Sequence, residues 1–144
     1  MHRRKLREHM FRMVYFLNYY PEEEWEKQCA FYLDELTAQP AGSADHPSEQ
    51  DLEELSSRPV SLMKKAGELD EKINAVTSGW TTSRMSLVDL SLIRLALYEI
   101  LAVDDIPPKV SVNEAVELAR KYGGDDSPSF VNGILAKFMD RERK

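Results

Sequence analysis

The chain has 144 residues, about one domain's worth and enough to bury a core without help from disulfides or metals. Its one cysteine, Cys29, excludes an internal disulfide and a thiolate metal cage and fits a reducing, cytoplasmic setting, and with no run of 18 apolar residues and no signal-type stretch after MHRRKLREHMF, a soluble, unprocessed protein is expected. A formal charge of −6 argues against nucleic-acid binding over the whole surface.

The charge is unevenly distributed. Residues 1–13 carry Arg3, Arg4, Lys5, Arg7 and Arg12 against Glu8 alone, whereas residues 20–56 carry eleven acids against Lys27. Such asymmetry suggests one localised anion-binding face on a body that repels polyanions elsewhere.

Apolar residues recur at helical spacing nearly throughout, so the fold is expected to be all-α, a compact helical bundle without internal repeats. A first helix is predicted over residues 3–18, with Leu6, Met10, Met13, Val14 and Leu17 as its buried stripe. Pro21 suits the first turn of a second helix to about residue 37, whose inner face is Trp25, Cys29, Tyr32, Leu33 and Leu36. Residues 38–48, AQPAGSADHPS, have the composition of an exposed, flexible loop inside a single domain spanning 1–144. Ser48 and Asp51 offer an N-cap for the next helix, with a break or kink near Pro59 and a further helix to about residue 77 on Leu62, Ala66, Leu69, Ile73 and Val76.

SLVDLSLIRLALYEILAV (86–103) is apolar around most of its circumference, interrupted mainly by Arg94 and Glu99, and is the expected central helix. Pro107 and Pro108 end it, Ser111 and Glu114 form a capping box for a helix over 112–122, and Gly123 and Gly124 supply a left-handed cap. Ser127 as N-cap and Pro128 open a last helix with Phe130, Val131, Ile134, Leu135 and Phe138 on one side, and the tail 140–144 is charged and expected to fray.

The search for chemistry finds little. His2, His9 and His46 have no metal-ligand spacing, Cys29 reads as a buried inert thiol, and no phosphate loop or nucleophile elbow occurs. Glu22, Glu23 and Glu24 lie where a helix dipole favours acids, which explains them without general acid-base work. No enzyme, cofactor or metal is expected. The basic arm is more informative. At about 100° per residue, Arg3, Arg4, Lys5 and Arg7 fan over one end of the first helix away from Leu6, Met10 and Met13, where arginine can grip phosphate or stack on bases. The alternative is a solvated helix end. The turn GDDSPSF (124–130) offers backbone N–H groups and Phe130 to a nucleotide, or is simply a capped helix with Phe130 in the core.

Trp80 with Arg84, VDLSLIRLALYEI (88–100) and DIPPKVSVNEAVELARKYGGDDSPSFVNGILAKF (105–138) resemble the signature of the NusB family over about 60 contiguous residues. RRKLREHMFRMVYFL (3–17) is similar to that family's arginine-rich opening helix, in register with its R-R-x-x-R-E pattern; residues 19–60 resemble nothing placed. The resemblance implies about seven helices in two packed sub-bundles and a role in transcription antitermination and ribosomal RNA synthesis. It implies binding of boxA-type single-stranded RNA with NusE, the small-subunit ribosomal protein, within an RNA polymerase complex, and no catalysis. Carried over by position, the RNA-contacting residues are Arg3, Arg4, Lys5 and Arg7, with Asp126, Ser127, Ser129 and Phe130 as a second patch, and Asp89 lies in the region that meets NusE. Ser129 stands where the family pattern commonly has lysine, and Leu90 where a basic residue commonly follows the acid. Asn132 and Gly133 match the pattern and are expected to let helices approach. A scaffold or homodimer that uses the basic helix as an interface is the alternative, and an RNA-modifying enzyme is a third reading that lacks a cofactor-binding domain.

Overall fold

The computed structural model describes residues 1–142, with side chains through Met139, so the tail 140–144 lies outside the described side chains. Among the described residues there are seven α-helices and no strand: α1 (Arg3–Leu17), α2 (Trp25–Thr37), α3 (Glu49–Lys64), α4 (Ala66–Val76), α5 (Leu87–Ala102), α6 (Pro108–Tyr122) and α7 (Ser127–Glu142). The expected all-α fold of about seven helices is what forms. The chain divides into two compact units, residues 1–64 and 65–144.

In the first unit α1, α2 and α3 pack on one another. No glycine or proline interrupts α1, and its predicted stripe of Leu6, Met10, Met13, Val14 and Leu17 is buried. Its C-terminal carbonyls are closed by side chains. Asn18 Nδ2 donates to Val14 O and Tyr15 O, and the Trp25 indole N–H donates to Leu17 O and Tyr20 O. Pro21 therefore does not sit in the first turn of α2. It precedes a 3-10 turn over Glu22–Glu24, and this turn places Trp25 under the end of α1.

Residues 38–48 contain no helix, as expected, and are built from successive turns, with Gly42 at φ +92°. At their end the Ser48 hydroxyl accepts from the Asp51 N–H (3.0 Å) while the Asp51 carboxylate accepts from the Ser48 N–H (2.9 Å), the reciprocal cap the spacing predicts. The same Asp51 oxygen receives the Met1 ammonium at 2.6 Å. Of the break or kink expected near Pro59, no break occurs, since α3 runs on to Lys64. An interior proline costs about 3 kcal/mol in an isolated helix, but here its ring is fully buried, and that packing offsets the lost hydrogen bond. The helix stops instead at Lys64, so Leu62 and Leu69, read as one stripe, belong to α3 and α4 in different units.

In the second unit α5 packs against α4, α6 and α7. Its N-cap is Ser86, whose hydroxyl accepts from the Asp89 N–H at 3.1 Å. Buried inside are the two charges that interrupt its sequence, each with a partner. Arg94 Nε and Nη2 donate to the two oxygens of Asp70 on α4 at 2.8 and 2.7 Å, and Glu99 accepts from the Ser111 hydroxyl at 2.7 Å. That last bond corrects the capping box predicted at Ser111 and Glu114. Pro108, with its φ preset, starts α6 at the first helical position, which carries Ser111 into the helix interior and against Glu99.

The left-handed cap at Gly123 and Gly124 is not observed either, since Gly123 has φ −96° and, among the described residues, positive φ occurs only at Gly42 and Gly79. Gly123 is needed for another reason. A side chain there would collide with Ser127 and with Ala119 O. On α7 the stripe Val131, Ile134, Leu135 and Phe138 is buried, with Phe130 half-buried. Asn132 and Gly133 are exposed and a Cβ at Gly133 meets no atom within 4 Å, so they do not mediate helix approach.

Candidate nucleic-acid and partner interface

Two regions carry the residues singled out in the sequence. The first is the N-terminal end of α1. Arg3 and Arg4 are exposed on the first turn, Lys5 is half-buried, and Arg12 is exposed two turns further on. Arg7 departs from the expected fan because only 9 % of it is accessible, among the buried residues Leu6, Glu8, His9 and Met10. A uniform helical wheel treats one side as solvent, whereas here the packing of α2, α3 and the 38–48 segment covers more of the circumference than the apolar stripe marks. Of the predicted fan, the exposed cations therefore narrow to Arg3 and Arg4 on the first turn.

Lys5 is engaged by acids. Its ammonium lies 3.4 Å from Asp45 Oδ1 and 3.8 Å from Glu8 Oε1. Asp45 is also held by the buried His9, whose Nε2 is 2.8 Å from the same oxygen while Nδ1 is 2.6 Å from the Tyr32 hydroxyl. The His9 hydrogen bond, with Lys5 behind it, outweighs desolvation and draws the Asp45 carboxyl below the ordinary aspartate value. Neither His9 nor His46 is a ligand; His46 meets Gln39 O at 2.9 Å, and no cluster of three or more His, Cys, Asp or Glu among the described residues could hold a metal. Cys29 is buried and its thiol is pushed up to about 11 by burial, with the nearby Glu26 adding to it, so it stays protonated and inert near neutral pH.

The second region is a cleft of about 540 Å³ lined by Trp80, Arg84, Met85, Ser86, Asp89, residues 124–127 and Phe130. It brings together Asp89 with Asp126, Ser127 and Phe130, which the sequence assigned to different partners. Ser129 does not line it. The local chain explains the arrangement. Gly79 turns at φ +83°, the Thr77 hydroxyl donates to Trp80 O, and Asn74 accepts from the Thr82 N–H at 2.8 Å, which together hold Trp80 out with 52 % of its surface accessible. Its ring meets Phe130 edge-on, centroids 6.0 Å apart. Ser127 is buried and its hydroxyl accepts from the Gly124 N–H at 3.0 Å, while the first α7 bond runs from Phe130 N–H to Asp126 O. Asp126 thus takes the cap position predicted for Ser127, and one of the N–H groups expected to face a ligand is used internally.

The cleft is acidic. Asp89, Asp125 and Asp126 outnumber Arg84, and Asp89 Oδ1 is buried without a protein hydrogen-bond partner. Such a lining disfavours phosphate and suits an aromatic face or a hydrogen-bond donor. Trp80 and Arg84 were quoted in the sequence only for the pattern they share with a family; what marks Trp80 as a surface-forming residue is its exposure, which no periodicity carries.

No helix among the described residues is long and apolar enough to cross a membrane. Residues 4–140 match the model of the NusB family. The match includes residues 19–60, for which the sequence reading found no resemblance. Transcription antitermination protein NusB of Agathobacter rectalis is 44 % identical over 138 residues, covering 96 % of this chain and 99 % of that protein. Its counterpart in Lachnoclostridium phytofermentans is 46 % identical over 140 residues, covering 97 % and 100 %. The solved structure of NusB from T. maritima superposes with a TM-score of 0.80 at 28 % identity, covering 97 % of this chain and 92 % of that one. With a family match over nearly its whole length and relatives at this identity, the chain belongs to the NusB family, whose members are transcription antitermination factors and not enzymes.

Proposed function

We propose that this chain is a cytoplasmic RNA-binding antitermination factor that takes boxA-type single-stranded RNA together with NusE and joins an RNA polymerase complex during ribosomal RNA synthesis. The observation that carries the reading is the pair of exposed arginines, Arg3 and Arg4, on the first turn of α1. The helix dipole disfavours cations there, and an anionic ligand would offset that cost. The two regions suit different chemistry of an RNA. Arg3, Arg4 and Lys5 are apt for phosphates, whereas Trp80 and Phe130 offer ring faces for bases in a cleft whose carboxylates repel phosphate. In this reading Asp126 contributes an acceptor to a base edge, Ser127 supports the turn through its bond from the Gly124 N–H, and the exposed Ser129 is open to RNA outside the cleft. Asp89, at the rim of the cleft with one oxygen lacking a protein donor, is apt for NusE.

The test is a titration of boxA RNA at two salt concentrations, with and without NusE, for wild type, Arg3→Ala/Arg4→Ala and Trp80→Ala. Removing two phosphate contacts should weaken binding roughly tenfold and lower the salt slope by about 1.4, since each single-strand phosphate contributes about 0.7. Loss of one stacked base at Trp80 should weaken binding without changing the slope. Equal affinity of wild type and the double arginine variant would refute the site. A stable dimer in light scattering, with no RNA binding, would favour the scaffold instead.

A further inference from the structure

Resting on the RNA reading of α1, the geometry points to Asp45 as a negative determinant of that site: a carboxylate built into the 38–48 segment that occupies Lys5 where an RNA phosphate would bind. Three observations converge on it. Asp45 Oδ1 lies 3.4 Å from the Lys5 ammonium, so the carboxylate already neutralises one of the four cations in the basic arm. The carboxylate is not a chance visitor from a solvated loop. Its oxygen is pinned at 2.8 Å by His9, a ring only 3 % accessible that is itself fixed by the Tyr32 hydroxyl at 2.6 Å. The segment that delivers it crosses from α2 to α3 through successive turns, and the Ser48–Asp51 cap fixes where it ends.

A phosphate reaching Lys5 must therefore either displace Asp45 from the ammonium or lie beside a second negative charge. Both lower affinity. The penalty falls hardest on polyanions that bind through charge alone, because a ligand that also makes base contacts retains those contacts undiminished. Asp45 thus shifts the site from general polyanion binding toward RNAs that satisfy more than the arginines.

The experiment is a double-mutant cycle between Asp45→Asn and Lys5→Met, with Glu53→Gln, an exposed acid on α3, as the control for removing a negative charge anywhere in the unit. Asparagine keeps a hydrogen-bonding group for His9; Asp45→Ser serves as the second variant should asparagine disturb the fold. Binding of a boxA RNA is measured at two salt concentrations. Asp45→Asn should bind about two- to fivefold tighter than wild type, the range expected when an exposed ion pair is released. Its salt slope should steepen by about 0.7, one more phosphate neutralised. In the Lys5→Met background the gain should shrink to that of Glu53→Gln. An equal gain in both backgrounds, or no gain beyond the control, overturns the role of Asp45 while the RNA reading stands on the arginine variants. If Arg3→Ala/Arg4→Ala binds as wild type does, the RNA reading of α1 fails and this inference falls with it.

Discussion

α1 and α5 are nearly equal in length, at 15 and 16 residues, and each carries charge amid apolar residues, yet the charge does opposite work. On α5, Arg94 and Glu99 are buried, and each meets a partner from another helix with good geometry. On α1, Arg3 and Arg4 stand exposed on a turn where the helix dipole gains nothing from them. An arginine in a sequence is thus ambiguous between a strut and a ligand contact. What marks Arg94 as a strut is its burial and the Asp70 carboxylate that α4 brings beside it. Arg7 lies between the extremes, on the helix of the proposed ligand contacts but buried like the struts.

The largest break in that comparison is on α5. Arg94→Ala leaves Asp70 without its forked partner and should destabilise the protein by about 2–3 kcal/mol, less than a fully buried pair because Asp70 is partly accessible. Chemical denaturation should show this, with RNA affinity of the folded variant unchanged. If Arg94→Ala instead weakened RNA binding while leaving the denaturation midpoint in place, the division between strut and ligand contact would fail.

Arg7 sharpens the comparison. Arg7→Ala should cost about 1–2 kcal/mol of stability because its stem packs within the core, whereas Arg3→Ala should stay within about 0.5 kcal/mol. Denaturation midpoints of the two variants, measured side by side, decide it; equal and small effects would return Arg7 to the exposed fan.

The smallest effect is a pH dependence. Burial raises the Asp51 carboxyl, but its bonds to the Met1 ammonium and to Ser48 outweigh this, and the net shift is downward from the usual 3.8. A depressed folded-state value means the stabilisation is present above about pH 3.8 and is lost as pH falls through the lower folded value. Asp51→Asn should therefore be less stable than wild type near neutrality, with the gap narrowing in acid. A gap that is constant down to pH 3 would show that the cap, and not the charge, carries the contribution.

The helices of this protein were legible from periodicity because a buried stripe leaves its mark every three to four residues, as Leu6 to Leu17 and Val131 to Phe138 do. The Ser48 cap was legible too, being a contact between residues three apart. What the local pattern could not carry was any contact made across the chain. Pro59 reads as a breaker until its ring is buried, and Ser111 reads as a cap until Glu99 comes within 2.7 Å.

The site divides the same way. The basic arm is visible in the sequence as composition, and its resemblance to the NusB opening helix needs no coordinates. The sequence by itself determined, through its periodicity, that this chain is helical, and, through its charge pattern, that a cluster of cations opens it, and it offered no recognisable motif for catalysis. Only the tertiary structure decided that Arg7 is covered, that Lys5 is shared with Asp45 from 40 residues away, and that Trp80 joins Asp89 and Phe130 around one acidic cleft. The physical reason is that charge and periodicity are properties of neighbours in sequence, whereas burial and pairing depend on which distant segments the packing brings alongside.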